Sequence, residues 1–118
     1  MPAGRSEENL VAHHFSPNDK LMSNYQVLNN KERLRFEIEL EGEFAYIEYR
    51  WYKGDLAFMH TVVPEAMQGK GVASFMAKEA LEYAKTEKLK IMLYCPFVSK
   101  YVKEHPEYAF LVDQQYKK

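Results

Sequence analysis

The amino-acid sequence predicts an α+β domain in which an antiparallel meander of strands leads into a single βαβ unit. Three observations carry that reading. Apolar and charged residues alternate from Leu34 to Trp51, the apolar spacing lengthens to three and four after Pro64, and a short apolar run returns at Leu89–Tyr94. A period of two marks a strand with one wet face, whereas a period near 3.6 marks an amphipathic helix.

In the first strand Leu34, Phe36, Ile38 and Leu40 alternate with Arg33, Arg35, Glu37 and Glu39. Glu41-Gly42-Glu43 makes a turn, and Ala45, Ile47, Tyr49 and Trp51 then alternate with Tyr46, Glu48 and Arg50 as the hairpin partner. Lys53-Gly54-Asp55 turns again into Leu56–Val63, apolar except for His60 and Thr61 and ended by Pro64. That composition predicts a central strand buried on both faces, with His60 in the interior. Val72, Phe75, Met76, Ala80, Tyr83 and Ala84 form the stripe of a helix, with Lys78, Glu79, Lys85 and Glu87 largely off it. Leu89–Tyr94 is the next strand, and a right-handed crossover through the helix makes it parallel to Leu56–Val63. Pro96 ends that strand, Val98–His105 makes a short helix, and Pro106 stops it before a tail with Tyr108, Phe110, Leu111 and Val112. Tyr46, Tyr49, Tyr52 and Tyr94 read as sheet surface and core.

At 118 residues the chain forms one domain, which excludes a two-domain enzyme. Residues 23–118 are assigned to it. The polar stretch 1–22, with Pro2, Gly4 and Pro17, reads as a flexible leader or a vector-derived extension, and Met22 is a candidate natural start. Sixteen basic against seventeen acidic residues give no electrostatic reason to expect a nucleic-acid or membrane-surface partner. Cys95 is the sole cysteine, so neither an internal disulfide nor a thiolate zinc site is expected. His13, His14, His60 and His105 are too scattered for a metal-ligand spacing. No apolar run reaches the roughly 18 residues of a membrane span and no secretory pattern opens the chain, which reads as cytoplasmic, a monomer or weak homodimer.

The motif with chemical content is Gln68-Gly69-Lys70-Gly71-Val72-Ala73, where a strand feeds a helix through two glycines. Backbone N–H groups at a helix start, aligned with the positive end of its dipole, suit an anion, and glycine lets a phosphate come close. A Walker loop needs Gly-Lys-Ser/Thr, but Gly71 follows Lys70. A dinucleotide fingerprint wants a third glycine where Ser74 stands, on the first strand of a parallel sheet. A plain tight turn before a helix remains the alternative.

Gln68, Gly71 and Ala73 match the GNAT signature of Gln or Arg, two residues, Gly, one residue, then Gly or Ala. With His60-Thr61-Val62-Val63-Pro64, Cys95-Pro96-Phe97-Val98, Tyr101 and His105-Pro106-Glu107-Tyr108, the chain resembles a subgroup of very small GNAT-superfamily N-acetyltransferases, over roughly Asn24 to Asp113. The resemblance implies acetyl-CoA as cosubstrate and an amine acceptor of unknown identity. It also implies two central strands that splay to admit the pantetheine arm. Val62 and Val63 would offer backbone partners to that arm, and Gln68, Gly69, Lys70, Gly71, Val72, Ala73 and Ser74 would cradle the pyrophosphate. Tyr101 resembles the tyrosine with which many family members protonate the leaving thiolate.

His60 and Cys95 fall at the same ends of adjacent parallel strands, so they are placed to face one another across the gap. His60 would act as base, and Cys95 would line the thioester pocket or accept the acyl group transiently. The alternative is a hydrogen-bonded core histidine and a small buried hydrophobe. The glutamate that many family members carry before the turn is missing, since only His60, and Glu65 beyond Pro64, stand there. Three functions stay open: a transferase, a module that binds CoA or acyl-CoA without efficient transfer, and an interaction domain without cofactor. The shortness of the chain favours an open acceptor site suited to a protein lysine or N-terminus.

Overall fold

The computed structural model describes residues 25–115. The proposed leader, and Met22 with it, lies outside them. A mixed five-stranded sheet in the order β1-β2-β3-β4-β5 is built from β1 (Leu28–Asn30), β2 (Arg35–Leu40), β3 (Glu43–Tyr52), β4 (Asp55–Val62) and β5 (Ile91–Leu93). The first four strands pair antiparallel, and β4 pairs β5 in parallel, with helix α1 (Val72–Thr86) as the crossover. Helix α2 (Pro96–Glu104) follows, then a 3₁₀ segment (Pro106–Leu111).

The alternation of β2 and β3 has the consequence read from it. Phe36, Ile38, Ala45, Ile47 and Tyr49 are buried on one face, while Arg35, Glu37, Tyr46, Glu48 and Arg50 share the other. The hairpin loops are two residues long with both φ positive, Glu41-Gly42 at 53° and 85° and Lys53-Gly54 at 53° and 87°, as the right-handed twist of the strands favours. Strand β1 was not legible in the sequence. It is three residues long, two of them asparagine, and is held by its register on β2 and by the Tyr49 hydroxyl donating to Asn29 Oδ1 at 2.6 Å.

Both helices lie in one layer on the apolar face. Ala77, Ala80 and Ala84 let α1 approach the sheet closely, Phe36 sits among the rings of Tyr49, Phe58 and Tyr83, and Val98 and Val102 of α2 join the same core. Burying each such large side chain contributes about 1.5–3 kcal/mol. Among the described residues no helix packs on the opposite face.

Two irregularities in β4 shape everything that follows. Opposite β3, Glu48 pairs with His60 but Tyr49 pairs with Phe58, so Met59 is an extra residue in a β-bulge. A bulge resets the period of two. Phe58 and Thr61 therefore share the helix-covered face, and His60 turns to the open one. This corrects the expectation of an interior His60, whose side chain is 55% exposed. It also corrects the expectation of a strand buried throughout, since only Leu56, Ala57 and Phe58 are buried in β4.

The second irregularity is the early end of β5. Pairing with β4 covers only Leu56–Phe58 against Ile91–Leu93. The amides of Tyr94 and Cys95 then both donate to Phe58 O, at 3.0 and 2.9 Å, and the chain leaves into α2. Beyond Met59, β4 keeps β3 on one side and, among the described residues, has no strand on the other. At its far edge β5 takes up the tail instead, through an Ile91–Val112 bridge and the Asp113 amide donating to Ile91 O at 3.0 Å. There the Asp55 carboxyl is pushed up to about 6 by burial and by the Asp113 carboxylate it bonds.

Candidate functional site

The glycine turn stands at the mouth of this gap. From Pro64 the chain makes a 3₁₀ turn (Glu65–Met67) anchored by the buried Met67, and Gln68 Nε2 donates to Val63 O at 3.0 Å. Gly69 and Gly71 have φ of 77° and 78°, and Gly71 is the N-cap of α1. A side chain there would be strained, and at both positions a Cβ would enter space with no atom within 4 Å. The first helical bond beyond the cap is Phe75 N–H to Gly71 O at 3.0 Å, so the amides of Val72, Ala73 and Ser74 precede it. Among the described residues no side chain caps them. Val72 is buried and offers only its amide, whereas Gln68, Lys70 and Ser74 are exposed. An anion resting on these groups would meet the positive end of a fifteen-residue helix dipole.

The gap itself is lined by alternate residues of β4. Tyr49 N–H donates to Leu34 O, so odd-numbered β3 residues direct their backbone groups to β2, and Tyr46 and Glu48 direct theirs to β4. Their partners Val62 and His60 answer in kind, and Thr61 and Val63 are left to turn their backbone groups into the gap. Of the two residues expected to serve a pantetheine arm, Val63 faces the gap, with its carbonyl already accepting from Gln68. Val62 instead pairs with Tyr46 of β3, and Thr61, which sequence reasoning passed over, turns its backbone groups into the gap. No sequence signal shows this, because the phase depends on the bulge.

His60 and Cys95 do not face each other. Cys95 is buried at 1% exposure, and its Sγ lies 3.2 Å from Thr61 Oγ1 on the helix side of the sheet. His60 is on the other side, where Nε2 lies 2.9 Å from Glu48 Oε1. Glu48 Oε2 in turn meets Arg50 Nη2 at 2.8 Å. The Tyr46 ring stands edge-on to the imidazole at 6.5 Å between centroids, and the Arg35 guanidinium covers that ring at 4.1 Å. The physical reason for the separation is the bulge, which gives Thr61 the position that unbroken alternation would have given His60.

Tyr101 is packed rather than presented. It is 9% exposed, and its ring stacks on His105 with centroids 3.9 Å apart. Burial, with Glu107 and Glu82 nearby, raises its hydroxyl above the usual tyrosine value and holds the proton on. Glu65 is exposed in the 3₁₀ turn. Among the described residues no cluster of three or more His, Cys, Asp or Glu could hold a metal ion, and no helix is long and apolar enough to cross a membrane.

Comparison with known proteins gives the family. A family model described as GCN5-related N-acetyl-transferase matches residues 35–111, from β2 to the end of the 3₁₀ segment. Among curated proteins, Protein NATD1 of Xenopus tropicalis is 36% identical over 87 residues, which is 71% of this chain and 80% of that protein. Protein NATD1 of Gallus gallus is 38% identical over 84 residues, covering 69% and 76% respectively. The Homo sapiens protein of the same name is 37% identical over 84 residues, covering 69% and 74%.

Proposed function

The chain belongs to the GCN5-related N-acetyltransferase family, and from that premise we propose that it transfers an acetyl group from acetyl-CoA to a primary amine. One observation carries the reading: the uncapped amides that open α1 adjoin the gap where β4 and β5 part. The pyrophosphate rests on the turn from Gly69 to Ser74, with Gln68 bracing the turn through Val63 O. Lys70 adds a positive charge beside it. The pantetheine arm enters the gap against the backbone groups of Thr61 and Val63.

The amine attacks from the open face of the sheet, where His60 takes its proton. The Thr61 N–H, turned into the gap, is the donor placed to stabilise the oxyanion. The C–S bond then breaks, and the thiolate takes a proton from solvent at the gap. Tyr101 is a wall of the fold in this scheme, since its raised hydroxyl parts with a proton reluctantly. Direct attack is favoured over an acyl-cysteine because Cys95 lies buried beside Thr61 on the other side of the sheet from His60. An amine on a protein surface, a lysine or an N-terminus, suits a face that no helix covers among the described residues.

The test combines melting curves with thiol release across an amine panel. Acetyl-CoA at a hundredfold excess over its dissociation constant is expected to stabilise the fold by about 2.7 kcal/mol, and thiol release is expected to depend on an amine. Cys95→Ala is expected to keep its turnover. A shift without thiol release points to a module that only binds acyl-CoA, and no shift with any CoA overturns the reading.

A further inference from the structure

We propose that Glu48 is a positioning residue, one that holds His60 in its Nε2–H tautomer and so makes Nδ1 the atom that receives the amine's proton. The catalytic half of this rests on the transferase reading, while the tautomer half stands without it. His60 Nε2 lies 2.9 Å from Glu48 Oε1, and an ionised carboxylate only accepts, so the hydrogen between them belongs to the imidazole. A neutral imidazole has one N–H, which leaves the lone pair on Nδ1.

Glu48 is itself held from two sides. Its other oxygen meets Arg50 Nη2 at 2.8 Å, and Arg50 Nη1 donates to Tyr49 O at 2.9 Å, which fixes the guanidinium against the strand. The carboxylate is 21% exposed where the imidazole is 55% exposed, so the anchor is the more sheltered partner. On its other flank the imidazole meets the edge of Tyr46, itself covered by Arg35. All of these groups lie on the open sheet face, with His60 on the half of β4 that borders the gap, and direct Glu48–His60 pairing exists only because Met59 is bulged out.

In the reaction, the amine nitrogen bonds the thioester carbonyl carbon and its proton passes to Nδ1. The resulting imidazolium stays against the Glu48 carboxylate, the C–S bond breaks with its electron pair on sulfur, and the imidazolium then gives its proton to solvent. Glu48 touches no reacting atom and acts only through His60.

Long-range ¹H–¹⁵N NMR on histidine-labelled protein, at a pH where His60 is neutral, reads the tautomer directly. Wild type is expected to show a single Nε2–H form, and Glu48→Ala an averaged mixture with a displaced Nδ1 resonance. An Nδ1–H form in wild type, or ¹⁵N shifts unmoved in Glu48→Ala, overturns the tautomer assignment. In turnover assays Glu48→Ala is expected to lower kcat about ten- to a hundredfold with the KM for acetyl-CoA unchanged. Added to His60→Ala it should cost nothing further, whereas a further loss in the double variant overturns action through His60. If no amine is acetylated by wild type, the transferase reading and the catalytic half fall together, and the NMR arm still decides the tautomer.

Discussion

The two halves of β4 differ in their strand neighbours and in their burial. Leu56, Ala57 and Phe58 have a strand on either side and are buried, whereas His60, Thr61 and Val62 have, among the described residues, only β3 beside them and alternate between exposed and half-buried. The first half is scaffold, and its energy is that of apolar burial and a complete ladder. The second half leaves one row of backbone groups without a strand to pair with and lifts a titratable side chain onto an uncovered surface. One bulged residue, Met59, divides them. A strand edge that would otherwise invite pairing with another chain is limited here by its shortness.

Substitutions in the two halves should separate stability from activity. The largest effect is expected at Phe58→Ala, which removes a fully buried ring packed against Phe36 and should cost about 3–5 kcal/mol in denaturant unfolding. His60→Ala, on the exposed half, should change stability by no more than about 0.5 kcal/mol and abolish most transfer. If the two cost the same stability, the division of β4 is wrong.

Next in size is Gly71→Val. At a φ of 78° a β-branched residue should cost about 1–2 kcal/mol and also remove the stabilisation by acetyl-CoA. Gly42→Val, at 85° in the β2–β3 hairpin, carries similar strain far from the turn and should retain the ligand-induced shift. Loss of the shift in both variants would make it a general effect of weakened folding.

Thr61→Val tests the helix side of the gap. It removes the oxygen 3.2 Å from Cys95 Sγ and should cost about 0.5–1.5 kcal/mol, read in the same denaturant titration, while turnover stays near wild type because the backbone N–H remains.

The smallest effect is expected at the far end of β4. Asp55 is raised to about 6 when folded against 3.8 unfolded, so its contribution is fully present below about pH 4 and is lost as pH rises through about 6. Asp113 is lowered by its bonds from Asp55 and from the Gln115 amide, and works in the opposite direction as pH falls. Asp55→Asn, which can donate to Asp113 at any pH, should melt slightly above wild type at pH 7 and lose that advantage near pH 4. Melting curves that keep the same separation at both pH values would remove the carboxyl pair from the account of tail docking.

The order of β2 to β5, the crossover helix and the glycine turn were legible in residue order, because side-chain alternation, helical spacing and glycine turns are local properties of the chain, and the family was read from resemblance at that turn and its flanking segments. The side of the sheet on which His60 emerges was not. Met59 is apolar like Phe58 before it and carries no mark of a bulge, yet one extra residue in a ladder of period two reverses the facing of every residue after it. Only the pairing of β4 with β3 decides that phase, and with it the partnerships of His60 with Glu48 and of Cys95 with Thr61.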